Sequence, residues 1–189
     1  MPYMKKIAVA MVAASVFAAA ACATVGGYYY APQYDFDDFR AALDGKPFQV
    51  IFDGNPFPQM PAEEVAARLL PVMQFNKPRQ VNLTFTYDAP TADPHPYYRL
   101  VLIFNPANDF GGARACNDEP RFGPGKPGLV YVFAVYCRKD LDLSETTAWT
   151  QATGPDDPRM SNMFKDLFLV VFDDSQARRP RFFNPRGSL

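Results

Sequence analysis

With 189 residues, 48% of them hydrophobic and 15% aromatic, the chain is globular in composition, which excludes a wholly disordered chain and leaves room for one compact domain with a packed core. Its formal charge of −1 conceals an asymmetry: residues 22–174 hold 13 Lys+Arg against 20 Asp+Glu, whereas residues 175–189 hold four Arg and no acid. Cys116 and Cys137, 21 residues apart, with one distant histidine lack the ligand count and spacing of a zinc site, so no metal is expected.

The chain opens on Met1–Cys22, MPYMKKIAVAMVAASVFAAAAC. Lys5 and Lys6 form a basic start, Ile7 to Ala21 an uncharged run rich in Ala and Val, and small residues lead to Cys22; that order is the order of a secretory signal peptide. Met4 also begins a complete basic region. Ala19–Cys22, AAAC, resembles the lipobox of bacterial lipoproteins, with Ala19 in place of the usual Leu. The resemblance covers the first 22 residues and implies cleavage before Cys22, a lipid on that cysteine and a membrane anchor in the cell envelope, facing the periplasm or exterior. Two other readings stay open. Ala19-Ala20-Ala21 suits an ordinary A-x-A cleavage that would release a soluble periplasmic protein, and Ile7–Val25, at 19 residues, is just long enough to stay in place as a spanning helix.

If Cys22 takes lipid, Cys116 and Cys137 remain, and in an oxidising compartment they are expected to form a disulfide bond. A loop of that length is worth about 3 kcal/mol in the chain-entropy account.

Beyond the leader, residues 22–34 read as a lipidated tether, flexible at Gly26-Gly27, with Tyr28–Tyr30 placed either at the lipid headgroups or on the domain. The globular domain is expected over 35–174. Asp35–Gly45 carries Phe36, Phe39 and Leu43 on one helical face; Phe48–Phe52 has strand propensity and is followed by a turn, DGNP. Pro61–Leu70 predicts a helix with Glu63 and Glu64 near its positive end and Pro71 as its terminator or kink.

Val81–Tyr87 alternates as a strand with one wet face, and the proline-rich DAPTADPHP reads as a hairpin connection to Tyr97–Asn105. Tyr97–Asn105 and Leu129–Arg138 are apolar on both faces and are expected as central strands. Between them lies Asn105–Gly128, the longest irregular stretch; Cys116 would pin its middle, which makes this loop the candidate contact surface. Leu141–Thr150 reads as an edge strand or a capped helical turn. Asp157 and Pro158 begin a last helix with Met160, Met163, Phe164, Leu167, Phe168 and Val171 in one stripe. The expected fold is α+β, an antiparallel sheet of about four to five strands with two or three helices on one face.

Motifs that carry chemistry are few. His95, between Pro94 and Pro96, has no nucleophile or orienting partner nearby. Lys126 follows Gly125 but precedes Pro127, which is no phosphate-cradling loop, and Gly111-Gly112 and Gly123–Gly128 serve as turns. Acid pairs occur at Asp37-Asp38, Asp118-Glu119, Asp156-Asp157 and Asp173-Asp174, which leaves an envelope glycan hydrolase using an Asp/Glu pair as the alternative function. The tail places Arg178, Arg179, Arg181 and Arg186 beside Phe182-Phe183, a composition suited to an anionic lipid, an acidic glycan or an acidic envelope partner; export argues against nucleic acid. No cofactor motif is present. The expected role is therefore a lipid-anchored, non-catalytic binding or assembly module.

Overall fold

The computed structural model of the chain describes residues 23–87 and 97–175. In chain order it contains β1 (Thr24–Tyr30), α1 (Phe36–Leu43), β2 (Pro47–Asp53), α2 (Ala62–Phe75), β3 (Thr84–Thr86), β4 (Tyr98–Phe104), α3 (Gly112–Cys116), β5 (Leu129–Arg138), β6 (Leu141–Gln151) and α4 (Pro158–Val171). The fold is mixed α and β, built on one six-stranded sheet of order β1-β6-β5-β4-β2-β3.

The sheet is mixed, which corrects the expectation of a purely antiparallel one. β2 runs parallel to both β3 and β4, whereas β4-β5, β5-β6 and β6-β1 are antiparallel. Parallel neighbours need a crossover, and α2 supplies it between β2 and β3. DAPTADPHP therefore does not join two strands of a hairpin, because β3 and β4 flank β2 rather than each other; the stretch itself lies outside the described residues. Of Val81–Tyr87 only Thr84–Thr86 is ladder, although Val81, Leu83 and Phe85 are all buried as the alternation predicts.

The sixth strand is β1. Residues read as tether pair with β6 from Thr24↔Trp149 to Tyr30↔Ser144, with an irregularity between Val25 and Tyr28. Gly26 belongs there because a Cβ would overlap Thr147 Oγ1. β6 is consequently an inner strand, and β1 takes the edge position expected for it.

Helices α1, α2 and α4 pack on one face through the stripes read from the sequence. Asp35 caps α1 by accepting from the Asp37 N–H at 2.8 Å, and Phe36, Phe39 and Leu43 are buried. α2 continues through Pro71 to Phe75, with Val65, Leu69 and Met73 inward and Pro71 on the exposed side. Asp157 caps α4 by accepting from the Arg159 N–H at 3.0 Å, and its six-residue stripe is buried throughout. At the centre of this core Phe39 stacks on Phe172 at 4.6 Å and meets Tyr136 edge-on at 5.3 Å.

β4 and β5 read as apolar on both faces because both faces are covered. Leu100, Leu102 and Phe104 face the three helices, while Val101 and Ile103 join Phe133, Val135 and Cys137 in a smaller cluster on the far side. That second face carries the candidate site.

Candidate functional site

The loop Asn105–Gly128 folds over the middle of the second face and contains α3, whose Ala115 and Cys116 are buried in the smaller cluster. Cys116 is bonded to Cys137 of β5, with S–S 2.00 Å and Cα–Cα 5.6 Å. The loop is held at other points as well. Gly123 N–H donates to the Asn105 carbonyl at 2.8 Å, Pro106 bridges Phe122, and Arg121 pairs with Asp109 at 2.5 Å. Glu145 of β6 accepts the Gly112 N–H at 2.8 Å, and a Cβ on Gly112 would overlap that carboxylate, so glycine is required where α3 meets the sheet.

Arg99 of β4 is the largest fully buried side chain, 1% exposed beneath this loop. Its Nη2 donates to the Cys116 carbonyl at 2.5 Å and lies 3.8 Å from the Asp118 carboxylate, while Nε and Nη1 have no hydrogen-bond partner. Gln49, its register neighbour in β2, has a buried Oε1 that is also unbonded. A charged residue inside the apolar run YYRLVLIF was the signal for Arg99, and the sequence reading did not use it.

Two carboxyls on this face sit above their ordinary pKa. Burial raises Asp53, helped by the Asp118 charge; burial also raises Glu145, opposed by the Gly112 N–H and helped by Asp142. They do not form a pair. Asp53 is aligned across β4 and β5 with Thr147, two residues beyond Glu145, so at about 4.8 Å per strand the backbones are more than ~14 Å apart.

Two adjoining clefts open at the end of the sheet where the loop begins and ends. One, of about 630 Å³, lies between Asn55–Gln59 and Gly125–Val130. The other, of about 480 Å³, is bounded by Asn108, Tyr131 and Trp149, with the last two rings 6.4 Å apart. They share Asn105, Lys126 and Leu129, and no Asp or Glu lines either. A third cleft, of about 640 Å³, lies between α2 and α4 with Asp174 as its one acid. None of these three clefts brings two carboxyls together.

Three acids of the sequence reading have structural partners. Asp37 pairs with Arg40 at 3.0 Å in α1, Asp156 pairs with Arg68, and Asp157 is the α4 cap, its carboxyl held far below the usual range first by the Arg159 side-chain bond. Among the described residues no group of three His, Cys, Asp or Glu could hold a metal ion. His95, Cys22 and Arg178, Arg179, Arg181 and Arg186 lie outside the described residues.

No protein-family model matches the chain, and no curated protein matches it. Among solved structures, two PelC dodecamers from Paraburkholderia phytofirmans, one of them a point variant, are similar to it at 10% and 11% identity with TM-scores of 0.43 and 0.41. Each comparison covers 80% of this chain and 97% of the other. A likeness this distant assigns no role.

Proposed function

We propose that the chain is a bacterial lipoprotein: a signal peptide removed before Cys22, a lipid on that cysteine, and a non-catalytic binding or assembly domain held at the cell envelope on the periplasmic or exterior side. The observation that carries this reading is the Cys116–Cys137 disulfide. It fits an oxidising compartment, and by arithmetic it leaves Cys22 as the one remaining cysteine of the three. Among the described residues no helix is long and apolar enough to cross a membrane; in this reading the attachment is the lipid. β1 starts at Thr24, two residues after Cys22, which would leave a leash of about 7 Å between anchor and sheet.

The candidate contact surface is the disulfide-pinned loop with the two clefts that share Asn105, Lys126 and Leu129. Tethering in the plane of a membrane raises the effective concentration of such a surface toward neighbouring envelope components.

Intact-mass spectrometry of the protein from its own envelope tests the reading. The expected species begins at Cys22, carries acyl mass on that residue and lacks the two hydrogens lost on disulfide formation. A chain that begins at Met1 or Met4 with three reduced thiols overturns it, and a Cys22→Ser variant that remains membrane-bound does so equally.

A further inference from the structure

The two most exposed large apolar side chains among the described residues, Phe75 at 85% and Leu169 at 67%, line the same groove. Neither belongs to a core stripe. Phe75 is the last residue of α2, beyond the inward Met73, and Leu169 lies off the six-residue stripe of α4. Phe168 and Phe172, both buried, also line the groove, so its apolar surface continues into the core. Exposed apolar side chains gathered in one place, with polar residues around them, mark interaction surfaces.

The rim is cationic. Lys77, Arg79 and Lys165 line it against Asp174 alone, on a body in which acids outnumber bases by seven. Lys77 is occupied with Asn82 Oδ1 and the Leu83 carbonyl, at 3.2 and 3.0 Å. Arg79 and Lys165 make no salt bridge among the described residues.

Its place in the fold decides between kinds of partner. Thr24 pairs with Trp149 at one end of the sheet and Tyr30 with Ser144 toward the other, about 20 Å away along β1. Ser144 Oγ donates to the Val171 carbonyl at 2.6 Å, which fixes the C-terminal end of α4, and with it the groove, at the end away from Thr24. An anchor at Cys22 would hold the opposite end toward its bilayer. The chain's own residues 176–189 carry four Arg and no acid, the wrong sign for this rim.

We propose that the α2–α4 groove docks an acidic amphipathic segment of a partner protein, whose apolar side chains cover Phe75 and Leu169 while its carboxylates meet Arg79 and Lys165. The choice of a protein over a lipid surface rests on the anchored reading above, because that reading turns the groove away from the membrane.

The test places a photo-cross-linking benzoylphenylalanine at Leu169 in the full chain, with its leader, in the bacterium that makes it, and maps the adducts by mass spectrometry. The expected adduct is a net-negative, apolar-containing peptide of another protein. Its yield should fall about tenfold in an Arg79→Glu/Lys165→Glu variant. The same probe at Gln151, at the opposite end of the sheet, should not give it. Adducts only to phospholipid, to a second copy of this chain or to a cationic segment overturn the proposal, as does no adduct at all. The mass of the Cys22 peptide from the same sample separates the two ideas. Acylated Cys22 without the adduct removes the groove proposal alone; unacylated Cys22 with the adduct removes the anchor and keeps the groove.

Discussion

Arg99 Nη2 donates to the carbonyl oxygen of Cys116 at 2.5 Å, so a buried guanidinium on β4 and the disulfide at the end of α3 hold the same point of the long loop. Two devices at one residue make the loop over the second face part of the folded body. They also make the second face sensitive to single substitutions beneath it.

Arg99→Ala should be much worse than Arg99→Met. The alanine variant opens a cavity, leaves the Cys116 carbonyl without its donor and removes the cation beside the partly exposed Asp118; a large-to-small truncation in a core costs about 2–5 kcal/mol. Methionine also loses the donor to Cys116, and both variants remove the Nε and Nη1 that have no acceptor, but methionine fills the space of the stem and so avoids a cavity cost of about 2 kcal/mol. Urea denaturation with the disulfide intact measures both. Equal losses would show that the space left by the Arg99 stem carries no cost.

The paired substitution Cys116→Ser/Cys137→Ser should lower stability by about 3 kcal/mol, the loop-closure entropy for the 21-residue separation. The damage should be local first. Limited trypsinolysis should cut at Arg114 and Arg121 before any site in α2 or α4, since those helices sit on the other face. Simultaneous cleavage on both faces would mean that the two clusters unfold as one unit.

What could be read in advance was whatever depends on local periodicity. The stripes of α1, α2 and α4 bury the residues that their spacing predicts, and the two-sided apolar runs of β4 and β5 do lie inside the sheet. Strand direction was not legible: FQVIF has the same alternation whether its neighbours run parallel or antiparallel, and only the placement of α2 decides. β1 was hidden for a related reason. Gly26-Gly27 has linker composition, and its strand state comes from the free edge of β6, more than a hundred residues away in the chain. In the candidate site, the cysteine pair followed from counting, whereas the Glu145–Gly112 contact, the Arg99–Cys116 bond and the burial of Asp53 exist only once the loop is laid on the sheet.

Acid should act on this protein in two opposite steps. Asp53 and Glu145 have folded pKa values above their unfolded ones, so the folded state binds protons more readily and stability rises as pH falls from neutrality through those raised values, levelling off below about 4. Asp157 is depressed in the folded state; its contribution is present above about 3.9 and is lost as pH falls further. Asp53→Asn should therefore raise the melting temperature at pH 7 and change it little at pH 4. Asp157→Asn should lower it at pH 7, with the loss shrinking toward pH 2. A calorimetric pH series decides, and an Asp53→Asn gain that grows on acidification would reverse the assigned sign.

Two tyrosines in the main core should respond in opposite directions to the same change. Tyr136 is buried among Phe39, Phe48, Phe172 and Tyr98, and its hydroxyl has no hydrogen-bond partner; burial drives its pKa well above the ordinary range, so the group stays neutral and unsatisfied. Tyr34, edge-on to Tyr136 at 6.4 Å, instead donates to the Asp173 carbonyl at 3.0 Å and ties the chain after β1 to the end of α4. Deleting an unbonded buried hydroxyl removes a desolvation cost, whereas deleting a bonded one orphans a carbonyl. Tyr136→Phe should stabilise by about 1 kcal/mol and Tyr34→Phe destabilise by about 1 kcal/mol, read as shifts of the urea midpoint at constant slope. Shifts of the same sign would require a partner for the Tyr136 hydroxyl, and the most direct one would be an internal water bridging it to a neighbouring backbone group.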